Sequence, residues 1–292
     1  MTALNLRENC LGLELHDGDR LVALYRAREE LPAIESPKPC FAPIYTPSGE
    51  LITEYRPSDH AWHTGLYFGW VHANGSNLWG GPLYNEESGK YEMVPTHGRQ
   101  RHDGFSRPPS AGEGVEVHEG LDWLDGSGGM LAREMRSYCF RKIEDVYLWT
   151  VETTITPATY PFVLGASRKS HYSGFELRMG PPFVGSGDPA EGALHRSSEG
   201  LAGHEATMGE RARWVSAAGR HSGAVVMMDH PDNPRHPVTW FTRFNLLGAG
   251  LLMPGDLTLE AGALELKYGF AILDAAPGHA QTEELYQEFI AA

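Results

Sequence analysis

Cysteine is scarce in this chain of 292 residues: Cys10, Cys40 and Cys139 stand far apart and are odd in number. They make no complete disulfide framework and match no zinc-finger spacing, so reduced thiols packed as small core residues are expected. Basic residues are also few. Against 38 acidic side chains there are 24 Lys and Arg, for a net charge of -14 at pH 7. No run of Lys and Arg forms a basic patch, and a phosphate backbone would meet repulsion, so nucleic acid is not an expected partner. No apolar run reaches the ~18 residues of a membrane-spanning helix. The opening residues Met1 to Arg7 lack the basic start and apolar stretch of a secretory leader. The expectation is a cytoplasmic protein with no membrane partner. A nucleophile elbow, a phosphate-binding loop and a dinucleotide fingerprint are all missing too.

What is present is a sizeable hydrophobic complement, 41%, arranged in short alternating stretches. Residues 10 to 26 read as a hairpin around the Asp17-Gly18-Asp19 turn. Further strands are expected at Cys40 to Tyr45, Leu51 to Tyr55, Thr64 to His72, Val115 to Trp123, Leu131 to Phe140, Val146 to Ile155, Phe175 to Met179, Ala224 to Met228, Leu257 to Leu259 and Leu264 to Leu273. Two stretches read as loops, Gly80 to about Pro109 and Gly180 to about Gly192. Helical periodicity is confined to Thr282 to Ala291, with Thr282 as its N-cap. So many short strands exceed what one open sheet holds. The expected architecture is a single all-β domain over residues 1–292, two stacked antiparallel sheets with a short C-terminal helix.

The densest chemistry lies in Asp59-His60-Ala61-Trp62-His63-Thr64-Gly65-Leu66-Tyr67-Phe68-Gly69-Trp70. Imidazoles move protons near neutral pH or bind metals, and flat aromatic faces stack on sugar rings. Residues three apart face opposite ways in a straight strand, but a turn lets His60 and His63 converge. They are therefore candidate acid, base or ligand, against the alternative of a turn cap and a packed imidazole. A divalent metal would need a third donor from His97, His171, His230 or His236, and no compact metal-binding spacing is present. Asp59 either orients an imidazole or caps the turn.

The segment Asp229 to Pro237 is stiffened by three prolines and carries His230, Asp232, Asn233, Arg235 and His236. It suits either a binding rim or a well-made surface connection. Trp240 and Arg243 follow closely as candidate platform and cation. Glu176 and Arg178 share one strand face, where they either pair with each other or leave Arg178 to grip a carboxylate or vicinal hydroxyls. His97, with Asn85, Glu86, Glu87, Arg99, Arg101 and His102, falls in the long loop, which is either a lid, with His97 a candidate contact to substrate, or a solvated surface loop.

Three blocks resemble a family of bacterial proteins labelled PmoA-like. They are Lys38-Pro39-Cys40-Phe41-Ala42-Pro43-Ile44-Tyr45-Thr46-Pro47-Ser48-Gly49, the His60/His63 block, and Asp229-His230-Pro231-Asp232-Asn233-Pro234-Arg235-His236-Pro237. The turn at Leu259 to Gly262 and the strand to Tyr268 complete the pattern. The resemblance covers most of the chain and implies a fold similar to the galactose mutarotase supersandwich, whose concave face holds sugars. Enzymes on that fold include epimerases, lyases and hydrolases. Mutarotases pair a histidine acid with a late carboxylate base, a place that Asp229 resembles.

The expectation is thus a carbohydrate-active enzyme that shifts a proton on a sugar or sugar derivative, as an epimerase, mutarotase or lyase does. His60 and His63 would be acid, base or metal ligand, and Asp229 or His230 would complement them across the cleft. His97, Arg178, Asn233, Arg235 and Trp240 would hold the substrate. Two alternatives stay open: a non-catalytic sugar-binding protein, and a metal-dependent hydrolase or oxygenase. Oligomeric state is left undetermined by the sequence.

Overall fold

Alternation along the long strands dictates which faces meet. In Met130–Ile143, residues Ala132, Tyr138 and Phe140 point inward and are buried, while Met135 points out and is exposed. In Val146–Pro157 the inward set is Trp149, Val151 and Ile155. The period of two is what a sheet needs to bury one face. The computed structural model describes residues 4–106, 114–184, 192–220 and 223–292, and within them the strands form two large antiparallel sheets. One runs in the order Leu4–Glu8, Gly12–Asp17, Arg20–Arg26, Cys40–Ile44, Leu66–Gly69, Gly174–Arg178, Leu246–Ala249 and Trp240–Arg243. The other runs Leu194–Ser197, Trp214–Ala218, Ala224–Asp229, Leu264–Leu273, Val146–Pro157, Met130–Ile143, Gly114–Leu124 and Arg99–Ser106.

The core lies between these sheets. Phe68 and Phe175 of the first stack with centroids 4.2 Å apart, and Phe175 meets Tyr268 and Phe270 of the second at 5.3 and 5.7 Å. Charges trapped in this interior are paired: Glu134 accepts from Arg136 at 2.7 Å, Trp123 at 2.7 Å and Thr153 at 2.6 Å. The C-terminal helix His279–Ile290 lays Leu285, Tyr286 and Phe289 on the outer face of the second sheet, over Leu148, Val226 and Met228. Its N-cap is Gly278, one turn before Thr282, whose hydroxyl donates back to the Gly278 carbonyl. No helix among the described residues is long and apolar enough to cross a membrane.

Several local expectations are revised. Leu51 to Tyr55 makes only isolated bridges, to Tyr45, Met179 and Thr64. The stretch expected to be a loop from Gly80 holds the hairpin Leu83–Asn85 with Lys90–Glu92, then the edge strand Arg99–Ser106. Thr64 to His72 divides between Leu66–Gly69 and His72–Ala73, which lie in different sheets. In the second loop stretch, Pro181–Val184 is a helical turn, and residues 185–191 lie outside the described ones.

The crossing from the second sheet back to the first is made by the polar segment after Asp229. Asp229 is fully buried at a strand end. Its carboxyl accepts from Asn233 Nδ2 at 2.7 Å, His236 Nδ1 at 2.7 Å and the Val238 amide at 2.8 Å. Asn233 also bridges to the Lys267 carbonyl and amide, both at 2.7 Å. Arg235, held at φ 67°, donates to the carbonyls of Leu251, Gly255 and Asp256. Replacing Asp229 by Ala strands three buried donors, so Asp229→Ala is expected to cost about 3 kcal/mol of unfolding free energy. Urea titration of the variant beside the wild type checks this; a loss below the error of the fit would refute the role.

Candidate functional site

The first sheet is buried on both faces where Leu66–Gly69 and Gly174–Arg178 pair. Its inner residues Leu66, Phe68, Phe175 and Leu177 enter the main core, so Tyr67 and Glu176 must point outward. Outward there means a second apolar cluster, Cys40, Tyr67, Val71, Trp79 and Leu83, with Trp62 and Tyr172 packed on it. The loops that carry these rings enclose a cleft of about 420 Å³. His60, His63, Trp62, Trp79, Tyr172 and Glu176 line it, and Phe241, Arg243 and Leu246 complete its floor.

The floor is a row of opposed residues. Tyr67 faces Glu176, Glu176 faces Gly248, and Gly248 faces Phe241. Gly248 leaves a gap beside the carboxyl, for a Cβ there would lie 3.7 Å from the Glu176 Cγ and 3.2 Å from the Phe175 carbonyl oxygen. Tyr67 donates its hydroxyl to Glu176 Oε1 at 2.6 Å. His63 Nδ1 stands 3.6 Å from the same oxygen, too far for a hydrogen bond, and has no other partner. Burial pushes the Glu176 carboxyl up to about 7, against the opposing pull of Tyr67, Arg178, Lys38 and Arg243. Burial, with the charges of Arg178, His60 and Lys38, holds the His63 imidazole well below its ordinary range.

His60 sits at the half-open mouth. Its Nδ1 donates to Asp59 Oδ2 at 2.7 Å, and its ring lies 5.0 Å from that of His63 and 5.1 Å from that of Trp62. A tight turn brings the imidazoles together, since the His60 amide bonds the Pro57 carbonyl and the His63 amide bonds the His60 carbonyl. The His60 hydrogen bond holds the Asp59 carboxyl below its usual value.

Two supports hold the walls. Lys38 is buried, and its Nζ donates to the carbonyls of Trp79 at 2.7 Å, Trp62 at 3.2 Å, and Glu35 and Ser36 at 3.4 Å. Burial pulls this ammonium down to about 8. His97 Nε2 donates to the Gly81 carbonyl at 2.8 Å. Gly81, at φ 67°, lies flat beneath the Trp62 indole, where a Cβ would come within 2.4 Å of the ring.

The structure therefore brings His60 and His63 together but separates them from most of their expected partners. Asp229 belongs to the second sheet and serves its own loop. His230, with Asp232 and Asn233, borders a different polar hollow of about 500 Å³ on the second sheet, where Lys267 and Glu152 already pair at 2.9 Å. Arg235 is spent on carbonyls. Trp240 is fully buried with its indole nitrogen on the Ala212 carbonyl, so it offers no face to a ligand. Arg178 does not pair with Glu176; its Nε donates to Glu54 at 2.9 Å. Among the described residues no three His, Cys, Asp or Glu converge as a metal set, so His60 and His63 lack the third ligand of the metal alternative. Sequence reasoning assigned no site role to Glu176, Lys38, Trp79 or Tyr172. Alternation against Phe175 and Leu177 was the available signal for Glu176.

Two outcomes follow. A carboxyl raised from 4.5 to about 7 favours the folded state most at low pH, and that contribution is lost as pH rises through 7. Relative to the wild type, Glu176→Gln should gain about 3 kcal/mol between pH 4.5 and pH 8, read from paired unfolding curves. A flat difference across that range would contradict the burial argument. Lys38→Met leaves four carbonyls without their shared donor and should cost about 3 kcal/mol, with a red shift of tryptophan emission as Trp62 and Trp79 loosen. Unchanged emission would mean that the ammonium does not hold the walls.

Over residues 12–287 the chain matches a family described as a family of unknown function (DUF6807), and it belongs to that family. No curated protein matches it.

Proposed function

We propose that this protein is a carbohydrate-active enzyme that moves a proton on a sugar or sugar derivative bound in the cleft above Glu176. One observation carries the reading: a carboxyl tuned to about 7 and a neutral imidazole 3.6 Å apart at the floor of an aromatic-walled hollow. A general acid or base works best when its proton affinity matches the operating pH. Groups shifted by burial beside a specific partner inside a cleft are where catalytic acids and bases are found. The half-buried rings of Trp62 and Tyr172, backed by the buried Trp79 and Phe241, offer the flat apolar surface on which sugar C–H faces stack.

In this reading Glu176, as carboxylate, takes a proton from a ring carbon or hydroxyl. Tyr67 stabilises the negative charge that Glu176 carries beforehand. His63, as a neutral imidazole, donates a ring N–H to the oxygen on which charge develops, Glu176 returns its proton to the substrate, and His60, oriented by Asp59, serves the mouth of the cleft. Abstraction beside a carbonyl leads to epimerisation or β-elimination, and transfer at the ring oxygen gives mutarotation. The blocks that resemble the PmoA-like family, and through them the galactose mutarotase-like supersandwich, support a sugar as substrate by analogy of fold. The carboxylate partner is Glu176 rather than the Asp229 suggested by that analogy.

A panel of aldoses, ketoses and sugar acids in D2O, followed by proton NMR, tests the reading. The wild type should exchange one carbon-bound proton or speed anomer interconversion for at least one sugar. Glu176→Gln and His63→Gln should each slow that rate by about 10²–10⁴-fold. Full turnover in both variants would overturn the assignment.

A further inference from the structure

The charges around the cleft are unevenly satisfied, and the uneven one is a cation. Arg178 is neutralised by Glu54, and Lys38 is caged by carbonyls. Asp59 is engaged by His60, and Glu176, at about 7, spends much of its time uncharged at neutral pH. Arg243 alone among these lining charges has no carboxylate partner among the described residues. Among the described residues its Nη1 donates to the carbonyl of its neighbour Thr242 at 3.4 Å, and its guanidinium carbon lies 5.0 Å from the Phe241 ring centroid. Beyond it, Lys169 rests against the rings of Tyr84 and Tyr91, at 5.0 and 5.8 Å, and Tyr91 also lines the cleft. In a chain of net charge -14 such a locally positive hollow opposes the surrounding field.

Register gives the spacing. Arg243 faces Leu246, two positions along the strand from Gly248, which lies opposite Glu176. Strand spacing and rise place the Arg243 and Glu176 Cα atoms roughly 12 Å apart on the same face. Both side chains stand on the face that lines the cleft and the Arg243 charge already acts on the Glu176 carboxyl, so a small sugar acid resting over Gly248 meets both groups from above. A planar guanidinium with free N–H groups takes a carboxylate in two parallel hydrogen bonds.

We infer that the ligand of this cleft carries a carboxylate, as a uronic or aldonic acid does, and that Arg243 grips that carboxylate while the carbon skeleton lies over Gly248 toward Glu176. This rests on the sugar reading above. A carboxylate on the substrate also makes the neighbouring carbon the natural site of proton removal, because the charge that develops is shared with the acid group Arg243 holds.

Binding, rather than turnover, separates the two levels. A hexuronate, a hexonate and the matching neutral aldohexose are titrated by NMR into the wild type, Arg243→Gln and Arg243→Lys. The acids should bind the wild type at least 10-fold more tightly than the neutral sugar. That preference should vanish in Arg243→Gln, survive in part in Arg243→Lys, and weaken with added salt. Arg243 is half-buried at a strand end, and unchanged thermal unfolding of both variants certifies their fold. If the neutral sugar binds as well as the acids, or Arg243→Gln keeps the preference, the acid-sugar inference is overturned and the broader sugar reading stands. If neither acids nor neutral sugar bind the wild type, both are overturned.

Discussion

Burial of one carboxyl group is the constraint from which the cleft follows. The pairing that sends Phe175 and Leu177 into the main core sends Glu176 to the opposite face, and that face is covered by aromatic rings. A carboxylate in such surroundings loses its hydration, and a single phenol replaces only part of it. Proton affinity therefore rises until the acid titrates near neutrality. The same dryness, with cations on several sides, lowers the affinity of His63. The usual order is inverted: the carboxyl holds its proton more tightly than the imidazole beside it.

The two histidine-bearing segments turn out to do different work. Asp59 to Trp70 builds the cleft, with a turn that sets His60 at its mouth and His63 at its floor before the strand begins. Asp229 to Pro237 spends its polar atoms on itself, through Asp229, Asn233 and Arg235. Its contribution to the cleft is mechanical. It delivers the chain from the second sheet into Trp240–Arg243, whose anchor is the buried Trp240 and whose outward residues are Phe241 and Arg243.

Much of the fold could be read from alternation because the long strands bury one face and expose the other. The pair Met130–Ile143 and Val146–Pro157 is the clear case. Arg99–Ser106 escaped notice because an edge strand rich in charge carries little apolar signal, its buried Gln100 being polar. Leu246–Ala249 and Trp240–Arg243 escaped because they are short and buried on both faces, so neither alternates between apolar and polar residues. In the cleft, His60 and His63 stood out by residue type. Glu176 did not, because its character comes from rings contributed by residues 62, 79 and 172, and that proximity exists only after folding. The late Asp-His-Pro segment misled for the converse reason: chemically rich side chains are as useful for tying a crossing loop as for touching a ligand.

The cage around Lys38 bears on how the hollow can move. One ammonium is shared by backbone oxygens from both sides of the hollow, those of Trp62 and Trp79 among them. Spreading the two tryptophan-bearing loops apart would break hydrogen bonds to a buried charge. That cost resists spreading of the walls and leaves rotation of rim side chains such as His60 and Tyr91 as the less costly way to widen the mouth. Under the proposed function, the substrate would meet an outline fixed beforehand rather than one that closes around it.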